Sequence, residues 1–484
     1  MSVMRPASAL VIAAIAAFGL AGSVHADGND NRQDCGSTKP ATAIPACTKV
    51  IQDKTTPPEA RAIALRNRGF SYHQLADLDR AIADYDAAVK LSGGATPVPN
   101  SRAADLLSRT YVNRALAYAQ KGEDTRALAD AATAIGLNPK LALAWSNRAA
   151  IFMKRGDKGH AIADLSEAAR LDPKDASTLV SRGAIYANSG QTDLAIADLS
   201  QAIALNPADA TAWRDRGVAY RAKGDNVHAS ADAAEAIRLD PNFAGAHHDR
   251  GLSLQASGAA DLAIAEFGRA IALNPADPLT IKARGDSYLA KGERDLAIAD
   301  FGEAIGLDPN FRDAYNNRAA AYLAKSQWDL AIADLTKVID LDPNLPAAYL
   351  NRGQALGAKG EHDRAIADFD KLVTLSPGNA EAYRHRGFLR KARGDLAGAI
   401  ADYGRAIELE PGDPVAYRRR GDALLARHDN DGAIADLTMA INLDANDALT
   451  FRLRSLAFSA KHDLQRAMSD DAAAIRLDPK FVRQ

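Results

Sequence analysis

"ALAWSNRAAIFMKRGDKGHAIADLSEAARLDPKD", residues 142–175, is the stretch that decides the fold. Apolar residues recur in it at the i, i+4, i+7 spacing of one helical face, at Trp145, Ala149 and Phe152 and again at Ala161, Leu165, Ala168 and Leu171. Gly156 interrupts the pattern between the two sets, and Pro173 ends the second because proline cannot continue the helical hydrogen-bond ladder. The stretch therefore predicts two amphipathic helices joined by a short turn.

The same pattern returns along the chain at a fixed period. We number the places of a unit from 1 to 34 with Ala142 as place 1, so that the alanine of the motif AIAD or its variants is place 20. Twelve copies of this alanine occur, and every step after the second copy is 34 residues. They are Ala81, Ala127, Ala161, Ala195, Ala229, Ala263, Ala297, Ala331, Ala365, Ala399, Ala433 and Ala467. The first step is longer by a 12-residue insert, "SGGATPVPNSRA" at 92–103, whose Gly, Pro and Ser content predicts a loop.

Small residues occupy two fixed places in every unit. Place 8 is always Gly, Ala or Ser, and place 20 is always Ala. Because antiparallel helices approach closely only where the facing side chains are small, each unit is expected to form a tight helical hairpin.

An arginine at place 7 and an acid at place 23 are the most regular polar features. The arginines are Arg68, Arg114, Arg148, Arg182, Arg216, Arg250, Arg284, Arg318, Arg352, Arg386, Arg420 and Arg454, and the acids run from Asp84 to Asp470 with one glutamate, Glu266. These places lie close together in an antiparallel hairpin, so a guanidinium–carboxylate pair is predicted in each unit. Partly buried pairs fix register and orientation, and a structural role is favoured over twelve ligand sites.

The 34-residue period with these preferred residues resembles the tetratricopeptide repeat family, over residues 58–484. The resemblance implies an all-α fold, an α-solenoid of about twelve helix-turn-helix repeats that stack into a right-handed superhelix. It also implies that the first helices line a concave groove. A single unit cannot bury its own apolar face, which explains why the unit is repeated.

The two ends depart from the repeat. Residues 43–53 align with 331–341, so residues 27–57 are expected to hold a lone second helix that caps the amino end. Cys35 and Cys47 are the only cysteines, and an even pair in an oxidising compartment predicts one disulfide, with two free thiols as the alternative. At the other end Asp471 takes a core place, which is consistent either with a solvating cap or with a frayed helix.

Residues 1–26 have the features of a cleavable Sec-type signal peptide. A single cation, Arg5, precedes an apolar run, and Val24-His25-Ala26 offers a cleavage site before Asp27. The run is short for a bilayer span, so a retained anchor is the second possibility. The mature chain is therefore expected to be periplasmic or secreted and without a membrane span.

The sequence contains no pattern that indicates catalysis or a cofactor. Gly-rich phosphate loops, G-x-S-x-G, H-E-x-x-H and C-x-x-C are missing from it, and its histidines do not have metal-ligand spacing. The formal net charge is only −2, which favours neither nucleic acid nor an anionic membrane as a partner. A non-enzymatic protein without metal or cofactor is expected.

A basic run in repeats 10 to 12 is the candidate partner-binding surface. By the resemblance, its residues face the groove from places 5, 6 and 12; they are Arg384, His385, Lys391, Arg418, Arg419 and Arg452. The alternative is an ordinary solvated charge run. Lys at place 5 with Asn at place 9 of one unit, the carboxylate clamp of chaperone-binding relatives, does not occur here.

Two classes of function fit these features. The first is a scaffold that holds an extended, acidic peptide or partner protein in its groove. The second is an envelope structural or assembly factor that binds cell-wall or surface polymer. Aromatic groove residues would favour sugar binding, but Phe70 and Phe388 are almost the only ones, so the scaffold is preferred.

Overall fold

The computed structural model describes residues 30–92 and 97–483. The predicted signal peptide and part of the insert, 93–96, lie outside the described residues. The described residues form 26 α-helices and no strands, which confirms the all-α prediction. The first two helices are α1 (Asp30–Cys35) and α2 (Pro40–Gln52), and a short 3₁₀ turn, Pro479–Arg483, follows the last helix.

The other 24 helices follow in twelve pairs, two helices to a repeat, and consecutive helices pack against each other within residues 58–259 and again within residues 260–477. Their bounds are α3 (Pro58–Gln74), α4 (Leu78–Ser92), α5 (Arg102–Lys121), α6 (Asp124–Leu137), α7 (Ala142–Lys154), α8 (Lys158–Leu171), α9 (Ala176–Asn188), α10 (Thr192–Leu205), α11 (Ala210–Ala222), α12 (Asn226–Leu239), α13 (Ala244–Ala256), α14 (Ala260–Leu273), α15 (Pro278–Ala290), α16 (Arg294–Leu307), α17 (Arg312–Ala324), α18 (Trp328–Leu341), α19 (Pro346–Ala358), α20 (His362–Leu375), α21 (Ala380–Ala392), α22 (Leu396–Leu409), α23 (Pro414–Ala426), α24 (Asn430–Leu443), α25 (Ala448–Ala460) and α26 (Leu464–Leu477).

The chain divides into two compact units. The first runs to Ala259 and holds α1 to α13, and the second begins at Ala260 and holds α14 to α26. The right-handed course of the superhelix stays a prediction. None of the helices within 30–92 and 97–483 is long and apolar enough to cross a membrane.

A residue in the left-handed conformation follows each first helix, at place 15 of the repeat. Gly156 has φ 77° there, and in eight of the twelve repeats the residue is glycine, which adopts this conformation without a Cβ clash. The other four repeats carry Ala76, Ser326, His428 and His462.

The hairpins close most tightly at place 8, as the small residues predict. A Cβ atom added to Gly285 would lie 2.7 Å from Cε1 of Phe301, and one added to Gly421 would lie 2.7 Å from Cγ of Leu437. Phe301 and Leu437 are fully buried place-24 side chains of the paired helix. Glycine therefore lets the second helix place a large side chain directly against the backbone of the first.

Eleven of the twelve predicted place-7 pairs are present, each within one unit of the fold. In all eleven the arginine donates from Nε and Nη2 to the two oxygens of one aspartate, and the closest contact is 2.5–2.8 Å. The remaining pair, Arg250 with Glu266, spans the two units and stays a prediction.

The place-7 arginines also connect successive repeats, which the sequence did not indicate. Nη1 of Arg216 donates to Ser200 Oγ of the preceding repeat at 3.1 Å, and Nη1 of Arg386 donates to Asp370 at 2.7 Å. The ring of Trp213 lies 4.8 Å from the guanidinium of Arg216. One side chain therefore joins its own hairpin, an aromatic ring and the neighbouring hairpin.

The insert differs from its prediction at its carboxyl end. The first helix of repeat 2 begins at Arg102, so Arg102 and Ala103 are helical rather than part of a loop. Ser101 provides the reason, because its side chain accepts a hydrogen bond from the backbone N–H of Ala104 at 3.2 Å and caps the helix.

The predicted disulfide between Cys35 and Cys47 is confirmed. It joins α1 to α2, and Cys47 is fully buried. Arg68 donates to Thr48 on α2 at 3.0 Å, the same contact that place-7 arginines make with preceding repeats. The amino end is thus closed by a helix that takes the position of a second helix.

At the carboxyl end Asp471 replaces the usual apolar residue of place 24. Its carboxylate accepts a hydrogen bond from Nη1 of Arg452 at 2.7 Å. An acid is therefore held at this place by a partner on the first helix of the same repeat.

Candidate functional site

The six predicted partner-binding residues lie on α21, α23 and α25, the first helices of repeats 10 to 12. We call this set, Arg384, His385, Lys391, Arg418, Arg419 and Arg452, the basic face. All of it belongs to the second unit. Place 5 carries an arginine on each of the three helices, which puts the three side chains at equivalent positions of consecutive hairpins.

Each place-5 arginine of the basic face has an acidic partner. Arg384 donates to Asp413 at 2.8 Å, Arg418 pairs with Asp447, and Arg452 pairs with Asp471 at 2.7 Å. Asp413 and Asp447 also cap the next first helices, since they accept hydrogen bonds from Val415 N and Leu449 N respectively. Arg384 and Arg418 therefore connect their repeats to the first helix of the next one in addition to presenting charge, whereas the pair of Arg452 with Asp471 lies within repeat 12.

Lys391 and His385 are also engaged within the protein. Lys391 pairs with Asp422, and His385 contacts Glu381 at 3.3 Å and stacks on Phe369. Burial lowers the pKa of His385 below its ordinary value against the opposing effect of Glu381. The imidazole is consequently neutral at neutral pH and adds no charge to the basic face.

Arg419 is the exception on the basic face. Within the described residues its guanidinium has no carboxylate within ion-pair distance. It lies 4.7 Å from the ring centre of Phe388, which is 49% exposed and is the single aromatic among the exposed large apolar residues that the structure describes.

A buried hydroxyl lies close to Arg419. Tyr403 is fully buried and its hydroxyl has no hydrogen-bond partner within the described residues. Burial raises the pKa of Tyr403 to about 12, and the positive charge of Arg419 opposes that rise. Arg419, Phe388 and Tyr403 thus form a distinct part of the basic face: one cation without a carboxylate partner, one exposed ring beside it and one buried hydroxyl that interacts with the cation.

The sequence missed the acids that neutralise most of this surface, because they do not lie at groove places. Asp413 and Asp447 occupy place 34 of repeats 10 and 11, and Asp471 belongs to the second helix of repeat 12. One signal was present, since an acid just before a first helix is a common helix cap whose carboxylate also reaches toward that helix. No group of His, Cys, Asp or Glu in residues 30–92 and 97–483 is arranged to hold a metal ion.

Sequence models of the tetratricopeptide repeat match much of the chain. One described as "TPR repeat" matches residues 183–224, 285–326 and 321–360. A model described as "Tetratricopeptide repeat" matches 64–93, 108–141, 142–175 and 346–379, and another with the same description matches 389–448. Together they cover more than half of the residues. No curated protein sequence matches the chain.

Several solved structures are similar to parts of the chain. YrrB, described as a TPR protein with an unusual peptide-binding site, is 22% identical with a TM-score of 0.34 over 37% of this chain and 92% of YrrB. The Cut9–Hcn1 tetramer of the APC/C gives 16% identity and 0.36 over 91% of each chain, and pilF of Pseudomonas aeruginosa gives 21% and 0.37 over 42% of this chain and 93% of pilF. None of these values supports a transfer of function to this chain.

Proposed function

Because this chain belongs to the tetratricopeptide repeat family, whose members are typically non-catalytic interaction scaffolds, we propose that it is a periplasmic or secreted scaffold that binds an extended acidic segment of a partner protein. The segment would lie in the groove, along the basic face. The observation that carries the proposal is the guanidinium of Arg419, which has no carboxylate partner within the described residues and lies beside exposed Phe388, next in sequence to the place-5 arginine Arg418.

The chemistry of these side chains favours a carboxylate as the bound group. A guanidinium has five N–H donors in a planar fork that fits a carboxylate, and Arg419 has no carboxylate partner within the described residues. Each place-5 arginine of the basic face contacts its aspartate through one nitrogen, and its other nitrogens have no carboxylate partner in the part of the chain that the structure describes. A series of acids along an extended peptide would therefore anchor at Arg419 and make weaker contacts with Arg384 and Arg418.

The proposed location follows from the amino-terminal segment and from the disulfide. Disulfides form and persist in oxidising compartments, and the Cys35–Cys47 bond agrees with export. Cleavage before Asp27 belongs to the same proposal, and amino-terminal sequencing of the exported protein checks it.

Two fluorescein-labelled peptides, (Ala-Asp)₅ and its amide counterpart (Ala-Asn)₅, test the proposed binding. We expect fluorescence polarisation to show that the acidic peptide binds and the amide peptide does not, with an affinity that falls as salt rises. Arg419→Gln should weaken binding by about tenfold, the loss of one charge-assisted contact. Arg405→Gln, on α22, is the matched control and should bind like the wild type. Equal binding of both peptides, or an unaffected Arg419→Gln protein, would contradict the proposal.

A further inference from the structure

A second arginine without a counter-ion lies at the other end of the chain, in the first unit. Arg66 occupies place 5 of repeat 1 and is 8% exposed. Its one hydrogen bond among the described residues goes to the neighbouring Asn67, at 3.3 Å from Nη2 to Oδ1. A buried guanidinium without a carboxylate is costly, because desolvation of its charge is not offset.

The other place-5 arginines show what is missing around Arg66. Arg214 donates to Asp249 at 2.7 Å, Arg384 to Asp413 at 2.8 Å, and Arg418 and Arg452 also have aspartate partners. Three sequence positions supply these acids: the residue before place 1 of the next repeat, as for Asp413, place 6 of the next repeat, as for Asp249, and place 24 of the same repeat, as for Asp471. For Arg66 the equivalent positions hold Leu107, Asn113 and Tyr85.

The surroundings of Arg66 contain more positive than negative charge. Arg109 acts on Arg66 as a like charge, and the nearby Asp105 is already engaged on both oxygens. One accepts from Arg109 Nε at 3.0 Å and the other from Asn138 Nδ2 at 2.8 Å. Burial lowers the pKa of Arg66 to about 10, which still leaves the guanidinium charged at neutral pH. The cluster of two guanidiniums and one carboxylate has a net charge of +1.

An unused donor lies within the same cluster. Tyr85 is fully buried on α4, and its hydroxyl has no hydrogen-bond partner within the described residues. Burial raises the pKa of Tyr85 well above its ordinary value, and the charge of Arg66 opposes that rise, which places the two groups within electrostatic range of each other. Buried polar groups are nearly always paired, so a missing acceptor is indicated at this point.

We propose that Arg66, Arg109 and the Tyr85 hydroxyl form a binding site for one carboxylate supplied by a ligand. A carboxylate fits because it is a planar monoanion that accepts two hydrogen bonds from a guanidinium and neutralises a net charge of +1. It would take the position that Asp249 has beside Arg214. The site is separate from the basic face and does not depend on the function proposed for that surface.

Sodium acetate is the probe, compared with sodium chloride at equal ionic strength, on the exported chain with its disulfide intact. We expect acetate to raise the melting temperature above the chloride value. Arg66→Gln should weaken the apparent acetate affinity by at least about tenfold, which corresponds to the loss of a charged partner. Asn113→Asp should supply the missing acid internally, raise the melting temperature in chloride and abolish the acetate effect.

Asn351→Asp makes the same substitution at place 6 of repeat 9, where the preceding repeat has no arginine at place 5, and should respond to acetate like the wild type. An absent acetate effect in the wild type would overturn the proposal, as would a wild-type response in Asn113→Asp. Asn113→Asp tests the proposed site even if Arg66→Gln does not fold.

Pentaalanine with a free carboxyl terminus, and the same peptide amidated, identify the source of the carboxylate. Tighter binding of the free-carboxylate peptide than of acetate assigns the site to a polypeptide ligand, and equal binding assigns it to a small free carboxylate. Both outcomes support the site. Equal binding of the amidated and free peptides would contradict it.

Discussion

Two regions of this protein use the same residue types in different ways: the seam inside each hairpin and the basic face of repeats 10 to 12. In eleven of the twelve repeats the place-7 arginine holds both oxygens of one aspartate in the seam, and the aspartate side chains are 4–11% exposed. On the basic face a single arginine nitrogen contacts each aspartate, and these aspartates are 12–37% exposed.

The difference shows how burial decides the role of an ion pair. A desolvated charge depends on its partner, so a seam pair fixes the register of its hairpin and cannot be separated without a large penalty. A partly exposed charge, such as that of Asp447 or Asp471, is solvated by water when its partner leaves. We therefore expect Arg418 and Arg452 to exchange their aspartates for a ligand carboxylate more readily than a seam arginine does.

The largest effect is expected from breaking a seam pair. Arg284→Ala leaves Asp300 buried and unpaired, which should lower the free energy of unfolding by about 3 kcal/mol. Replacing both partners, Arg284→Met with Asp300→Leu, should recover most of that loss because no buried charge remains. Urea denaturation of the full chain measures both, and amide hydrogen exchange over Pro278–Leu307 locates the change in repeat 7. A double variant less stable than Arg284→Ala would show that the seam is not desolvated.

An intermediate effect on stability is expected from replacing Asp215, because burial disfavours its charged form more than the contact with Arg214 favours it. Its closest cation is Arg214 at 3.4 Å, while Arg214 donates to Asp249 at 2.7 Å. Burial raises the pKa of Asp215 to about 6, against the opposing charge of Arg214. The folded state therefore binds this proton more tightly than the unfolded state, so the contribution of Asp215 to stability improves as pH falls from 7 toward 4.

Asp215→Asn tests this predicted direction of the pH dependence of stability. The neutral amide should raise the free energy of unfolding at pH 7.5 on the order of 1–2 kcal/mol and should have little effect at pH 4.5. Urea midpoints at the two pH values give the comparison. Asp249→Asn is the control, because Asp249 has two arginine partners and its loss should destabilise the protein at pH 7.5. A lower midpoint for Asp215→Asn at pH 7.5 would mean that Arg214 stabilises the charged form.

Contacts within a hairpin could be predicted from the sequence, and contacts between hairpins mostly could not. Contacts inside one hairpin explain the period, the small residue at place 8 and the arginine at place 7. The close packing of Gly285 against Phe301 is an example. The partners of Arg384 and Lys325 depend on how neighbouring hairpins are placed relative to one another, which the repeat pattern does not contain. Lys325 is suited to the end of its helix, but it also pairs with Asp295, thirty residues earlier.

The candidate site illustrates the same limit. The place-5 arginines of the basic face lie on successive first helices, as the repeat pattern predicts. Their aspartates came from place 34 and from a second helix, so the surface carries less free charge than its first helices alone indicate. Arg66 was overlooked because a single arginine in repeat 1 forms no run, and its significance appears only when its missing partner is compared with those of the other repeats.

The smallest effect is expected from breaking a basic-face pair, and it completes the comparison. Arg418→Ala should cost less than about 1 kcal/mol, because Asp447 is 23% exposed and keeps its hydrogen bonds from Leu449 N and Thr450 Oγ1. Burial acts to raise the pKa of Asp447, but Thr450 and Arg418 together hold it below the ordinary value. A lowered folded pKa contributes stability above about pH 4 that disappears as pH falls through the folded value, so the difference between wild type and Arg418→Ala should shrink below pH 4. Arg405→Ala, an exposed arginine paired with Glu408, is the control and should change the urea midpoint at neither pH. If Arg418→Ala cost as much as Arg284→Ala, the basic face would depend on its internal pairs as strongly as the seam does, and its arginines could not be released to a ligand.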